Sequence, residues 1–116
     1  MSVEERRTAR RVPVKLSVTE EYLAATQHVA AVNISEYGMH YYRPLDSEKR
    51  VNREVLLTFS LLDRPQPIKA LGWVVEERVT GEKIASHVTF MFLPEKDERS
   101  IRDFVASCSE HYFVYC

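Results

Sequence analysis

Arg6, Arg7, Arg10 and Arg11 place four guanidinium groups within six residues near the start of the chain, in the stretch Glu4-Glu5-Arg6-Arg7-Thr8-Ala9-Arg10-Arg11. A guanidinium is planar and donates two parallel hydrogen bonds, a geometry that suits phosphate or the O6/N7 edge of guanine. The cluster stops where an apolar alternation begins, with Val12, Val14, Leu16 and Val18 on one face of an expected strand. Two uses are open to it. It is either a solvated basic tail or a flexible arm that closes over an anionic ligand held against a rigid body.

A second polar constellation interrupts the apolar pattern at Asn33-Ile34-Ser35-Glu36-Tyr37-Gly38. Asn33 offers an amide that can pair with a base edge, and Ser35 a hydroxyl. Gly38 offers a positive-φ turn and a close approach of backbone to ligand. By itself the stretch also reads as an ordinary Asx/Ser turn ending at glycine.

Catalytic chemistry finds little support. Ser35 lies in no nucleophile-elbow sequence, and no serine or cysteine carries a local catalytic signature. His28, His40, His87 and His111 lack metal-ligand spacing and read as strand or surface histidines. The three glycines, Gly38, Gly72 and Gly81, form no phosphate loop. The expectation is a protein that is not an enzyme, with no metal and no cofactor.

Charge narrows the ligand. Residues 1–15 hold five basic side chains against two acidic ones, a balance of +3, which leaves −4 for the rest of a chain of net charge −1. A broad basic face for nucleic acid is not what this describes. An acidic body with one basic arm fits a small anion held at one place.

The elements that must position these groups read as six strands and a helix. The 116 residues suit a single domain, and the 45% hydrophobic content suits one core. Alternation marks strands at Val12–Val18, Met39–Tyr42, Val55–Leu61, Ile68–Arg78 and Ile84–Leu93. The run Tyr22–Val32 reads as another strand, although its alanines leave helix open. Gly72 marks a bend or close approach, and Thr80-Gly81-Glu82 the turn of a hairpin. Trp73 is either core or a lip residue that flanks a base. After Pro94 the period changes: Ile101, Phe104, Val105 and Cys108 form the stripe of an amphipathic helix from about Glu95 to Ser107. Strands with no crossover helices are best accommodated by a closed barrel. The expected fold is therefore all-β with a C-terminal α-helix, a six-stranded antiparallel β-barrel. Residues 1–11 form the basic arm, 12–93 the barrel, 95–108 the helix and 109–116 an apolar tail.

No apolar run approaches the roughly 20 residues that cross a bilayer, and no secretory signal is visible. Cys108 and Cys116 form neither a metal cluster nor a disulfide framework, so a reducing cytoplasm is expected.

Arg7-x-x-x-Arg11 followed by Asn33-x-Ser35-x-x-Gly38 resembles the PilZ domain, whose pattern is RxxxR followed by (D/N)xSxxG. Leu71-Gly-Trp-Val-Val75 is similar to a later strand of that family, and Val88-Thr-Phe90 with Leu93-Pro-Glu95 to its last strand and helix. One departure is His87, which stands where a glycine frequently precedes the Val-x-Phe element. The resemblance implies a bacterial receptor for cyclic di-GMP (c-di-GMP) with links to motility and biofilm formation. Its ligand site would comprise Arg7, Arg11, Asn33, Ser35 and Gly38, with Arg6 in support. It also implies an unidentified effector protein as partner, and no nucleic acid or membrane insertion. Arg6 and Arg10 share the same spacing. The register on Arg7 and Arg11 is preferred because Arg11 abuts Val12-Pro13-Val14, which leaves Arg10 facing solvent. An adaptor that no longer binds the nucleotide is the alternative.

Overall fold

The computed structural model describes residues 10–61, 64 and 66–109. Arg6, Arg7, most of the arm and the apolar tail lie outside the described residues.

Among the described residues six strands and one helix succeed one another: β1 (Val12–Tyr22), β2 (Ala25–Ser35), β3 (Gly38–Pro44), β4 (Glu54–Phe59), β5 (Ile68–Thr80), β6 (Lys83–Phe92) and α1 (Glu95–Ser109). They close into an antiparallel barrel in the order β1-β2-β3-β6-β5-β4. The expected fold class is the observed one.

Closure is made by β1, which pairs along its length with β2 and, from Val18 to Glu21, with Phe59 to Leu56 of β4. This double duty explains a departure from the sequence pattern. The run from Tyr22 to Val32 is two strands, because β1 continues to Tyr22 and reverses at Leu23 and Ala24. Leu23 takes φ 56°, at a turn position that glycine or asparagine usually fills. No turn-former signals this reversal in the sequence. Likewise Asn33 to Ser35 belong to β2, and only Glu36 and Tyr37 form the turn. Gly81, at φ 60°, makes the expected β5–β6 hairpin turn.

Inward-facing residues fill the barrel, among them Ile34, Met39, Leu57, Ile68, Val74 and Val88. Ile101, Phe104, Val105 and Cys108 of α1 join the same cluster, as the expected helical stripe requires. Leu16 is only partly buried, beside an irregularity in the β1–β2 register between Pro13 and Leu16. Cys108 is not a free thiol, contrary to the expectation of unlinked cysteines. Acidic Glu95, Asp97 and Glu98 occupy the first turn of α1, where they oppose the helix dipole. Arg64 pairs with Asp97 at 3.3 Å.

One end of the barrel is closed by charge. Glu20, fully buried, accepts the Tyr41 hydroxyl and a 3.0 Å hydrogen bond from Gln27. The Arg50 guanidinium lies over the Tyr22 ring at 4.7 Å, and its Nε is 3.2 Å from Glu20 Oε1, close enough for an ion pair but not aligned as a hydrogen bond. Arg43 donates to Glu77, to Ser86 Oγ at 3.1 Å and to the Glu48 carbonyl at 3.0 Å. Glu77 in turn accepts the backbone N–H groups of Arg50 and Val51 at 2.7 and 3.0 Å, which pins the β3–β4 connection. Burial, with the Glu20 carboxylate next, pushes the Tyr41 hydroxyl well above the ordinary tyrosine range, so it stays a donor.

Removing one member of such a network leaves an uncompensated buried charge. Arg43→Met is expected to cost about 3–5 kcal/mol of stability in urea denaturation. A loss below roughly 1 kcal/mol, the scale of an exposed pair, would show that the network is solvated in solution.

Candidate ligand site

Strand register carries a row of polar side chains across the outer wall of the barrel. Pro13 of β1 pairs with Asn33 of β2, Asn33 with His40 of β3, His40 with His87 of β6, and His87 with Glu76 of β5. Their neighbours Ile34, Met39 and Val88 point into the core, so alternation turns the row outward.

Glu76 belongs to this row because of a bulge. The β5–β6 register shifts between Val74 and Glu76. One extra residue, Val75, reverses the facing of the rest of β5, so Glu76 lies outside and Glu77 reaches inward to Arg43.

Arg11, just ahead of β1, lies over the row. Its Nη1 donates to Asn33 Oδ1 at 3.2 Å, and its Nη2 lies 2.9 Å from His87 Nε2. Arginine has no acceptor, so His87 Nε2 accepts and the neutral ring carries its proton on Nδ1. The His40 and His87 ring centroids are 4.1 Å apart, tilted by 59°. His40 Nε2 is shielded from solvent and has no hydrogen-bond partner among the described residues. A cavity of about 320 Å³ runs from these two rings past Glu76, Arg78 and Thr80.

Burial, with the nearby Arg11 cation, favours the neutral form of both imidazoles. Burial, then the His87 and Arg11 charges, lower the His40 pKa from 6.5 to about 4 despite the opposing pull of Glu76. Burial and Arg11 lower that of His87 also.

The structure brings Arg11 and Asn33 together. Ser35 ends β2, beside the turn. It is 1% exposed, and its Oγ accepts the Tyr37 backbone N–H at 3.1 Å, so it shapes the β2–β3 turn. Gly38 is needed for close approach and not for positive φ: a Cβ there would lie 2.2 Å from the Val88 carbonyl oxygen on β6. Arg10 is exposed, as expected, and borders a cavity with Glu36, Arg102 and Val105 between the turn and α1. Arg6 and Arg7 fall outside the described residues. Trp73 is half-buried on the barrel wall, in a cleft with Tyr22, Leu23 and Asn52 that Arg11 does not line. His40, His87 and Glu76 line the candidate site; the sequence marked His87 only as a departure from glycine and gave no signal for the other two. Each sits at an outward position of its strand, but only the register and the Val75 bulge align them.

Among the described residues no cluster of three or more His, Cys, Asp or Glu could hold a metal ion, and no helix is long and apolar enough to cross a membrane.

Comparison with known proteins agrees with the fold. The PilZ domain model matches residues 5–107. The inhibitor of motility MotI/DgrA from Bacillus subtilis superposes with a TM-score of 0.85 at 14% identity, over 94% of this chain and 54% of that one. YcgR from Escherichia coli in complex with c-di-GMP superposes with a TM-score of 0.72 at 12% identity, over 91% and 47%. The PlzA protein of Borreliella burgdorferi, also in complex with c-di-GMP, gives 0.57 at 13% identity, over 90% and 38%. At these identities the likeness shows the fold, and the chain spans about half the length of MotI and YcgR. No curated protein matches the sequence.

The depressed imidazoles set a pH dependence of stability. The unfolded chain takes up histidine protons near 6.5, whereas folded His40 does so only near 4. Stability is therefore full above about pH 6.5 and falls as the pH drops toward 4. In thermal melts between pH 7 and 5, His40→Gln is expected to flatten the decline. An unchanged slope would mean that His40 titrates normally in the fold.

Proposed function

The chain belongs to the PilZ domain family, and from that premise we propose that it is a c-di-GMP receptor acting through a partner protein. The observation that carries the reading is the fork of Arg11, the second arginine of RxxxR, resting on Asn33, the first residue of the (D/N)xSxxG motif. The two halves of the motif lie 22 residues apart in sequence and meet at a single hydrogen bond. Chains of the same fold were solved with c-di-GMP, which supports the ligand class.

The ligand carries two phosphates and two guanines. Arg7 and Arg11 supply cationic forks, with Arg6 in support, and the Asn33 amide pairs with a guanine edge. Ser35 and Gly38 act one step back by fixing the turn and the β3–β6 contact beneath the ligand. Ligand binding orders the arm against the barrel wall and so creates or masks a surface for an effector protein. Members of the family are receptors and adaptors, not enzymes. A nucleotide second messenger places the protein in the cytoplasm. The acidic body gives no nucleic-acid face and the role needs no membrane insertion. Motility is the process nearest to hand, because MotI is an inhibitor of motility; biofilm formation follows less directly.

One observation favours a second reading, an adaptor that no longer binds nucleotide. Arg11 already has Asn33 and His87 as partners, so a ligand that takes its Nη1/Nη2 edge competes with them.

Isothermal titration calorimetry with c-di-GMP separates the two. The receptor reading expects saturable binding that Arg11→Ala weakens at least tenfold, about 1.4 kcal/mol, and Arg10→Ala much less. An absence of heat at high micromolar ligand would leave only the adaptor.

A further inference from the structure

His87 fills a place in the candidate site that the motif reading does not use, and His40 lies beside it with a shielded Nε2 that has no partner among the described residues. His87 holds Arg11 as a neutral acceptor. A phosphate or guanine edge that takes the Nη1/Nη2 edge of Arg11 in bidentate fashion competes with Asn33 and His87 for it. Displacing His87 frees its Nε2 beside an incoming anion.

We infer that His87, with His40 at its side, is a positioning residue of the ligand site that makes anion binding proton-linked. The inference rests on the receptor reading of the site. Binding strips Arg11 from His87, and the freed imidazole pair takes a proton from solvent, so that the imidazolium faces the ligand phosphate.

The charges around the pair set the direction. Arg11 faces it from ahead of β1, the uncharged Asn33 from β2, and Glu76 and Arg78 from β5. Glu76 is paired with Arg78 at 2.7 Å, so its carboxylate is already partly neutralised. With Arg11 uncompensated, the balance disfavours imidazolium, and burial of the rings adds to this. An anion on Arg11 cancels the cation that disfavours protonation and adds a counter-charge nearby. The ligand-bound rings therefore bind protons more tightly, and by linkage the ligand binds more tightly as pH falls from 7.5 to 6.

The test is calorimetry of c-di-GMP binding to the full chain at pH 6 and 7.5, in buffers of low and high ionisation enthalpy. The expected result is net proton uptake on the order of half a proton at pH 6, with affinity roughly threefold higher there than at pH 7.5. His40→Gln/His87→Gln keeps hydrogen-bonding side chains of similar reach and is expected to abolish the buffer dependence. NMR titration of the wild-type imidazole carbons, with and without c-di-GMP, checks the same point without a variant: at least one histidine pKa is expected to rise on binding. Binding with equal heats in both buffers overturns the inference and leaves the receptor reading intact. So does proton uptake that persists undiminished in the double variant, or imidazole pKa values unmoved by ligand. No binding at all overturns both.

Discussion

Closure of the barrel through β1 is the constraint on which the rest of the structure depends. A strand in an open sheet leaves one edge of N–H and C=O groups unpaired, and closure removes that edge. To close, β1 must satisfy β2 along its length and β4 over Val18 to Glu21. That demand carries β1 on to Tyr22 and forces the reversal at Leu23 into positive φ. It also carries Glu20 into the interior, where Tyr41, Gln27 and Arg50 surround it. One end of the barrel is consequently held by ion pairs and hydrogen bonds, and the other is packed by the apolar stripe of α1.

The candidate site uses the same geometry from the outside. A closed barrel brings β6 next to β3, so His87 meets His40 although 46 intervening residues separate them. The bulge at Val75 serves both faces at once. It sends Glu77 inward to tie Arg43 and the β3–β4 connection, and sends Glu76 outward to the histidine pair. The polar plug and the candidate site are thus linked through one irregularity in β5. Gly38 belongs to the same arrangement, since its missing side chain lets β3 lie against the Val88 carbonyl of β6.

Much of this was legible in the sequence, for physical reasons. Period-2 alternation around Val55, Val88 and their neighbours marked the strands, and the change of period after Pro94 marked the helix. Arg11 and Asn33 could be paired because both belong to motifs with a resemblance to a known family. What stayed hidden depended on register and closure. The reversal at Leu23 carries no glycine or asparagine, so nothing local announces it. Ser35 read either as a ligand hydroxyl or as part of an Asx/Ser turn, and only the folded chain shows its Oγ accepting the Tyr37 N–H. His87 appeared only as a departure from a glycine, since neither the β3–β6 pairing nor the reach of Arg11 across two strands is written in local pattern. Trp73 looked like core or lip and is instead on the wall of a separate cleft.

The central claim is that the ligand sits on the outer wall where Arg11, Asn33 and His87 meet. Amide and side-chain NMR of the labelled chain during titration with c-di-GMP tests it most directly. The account predicts the largest shifts at the Asn33 side-chain amide, the Arg11 guanidinium and the backbone of His40 and His87, with the Trp73 indole nearly unmoved. Shifts centred on Trp73 and Asn52, with Asn33 and His87 silent, would contradict it.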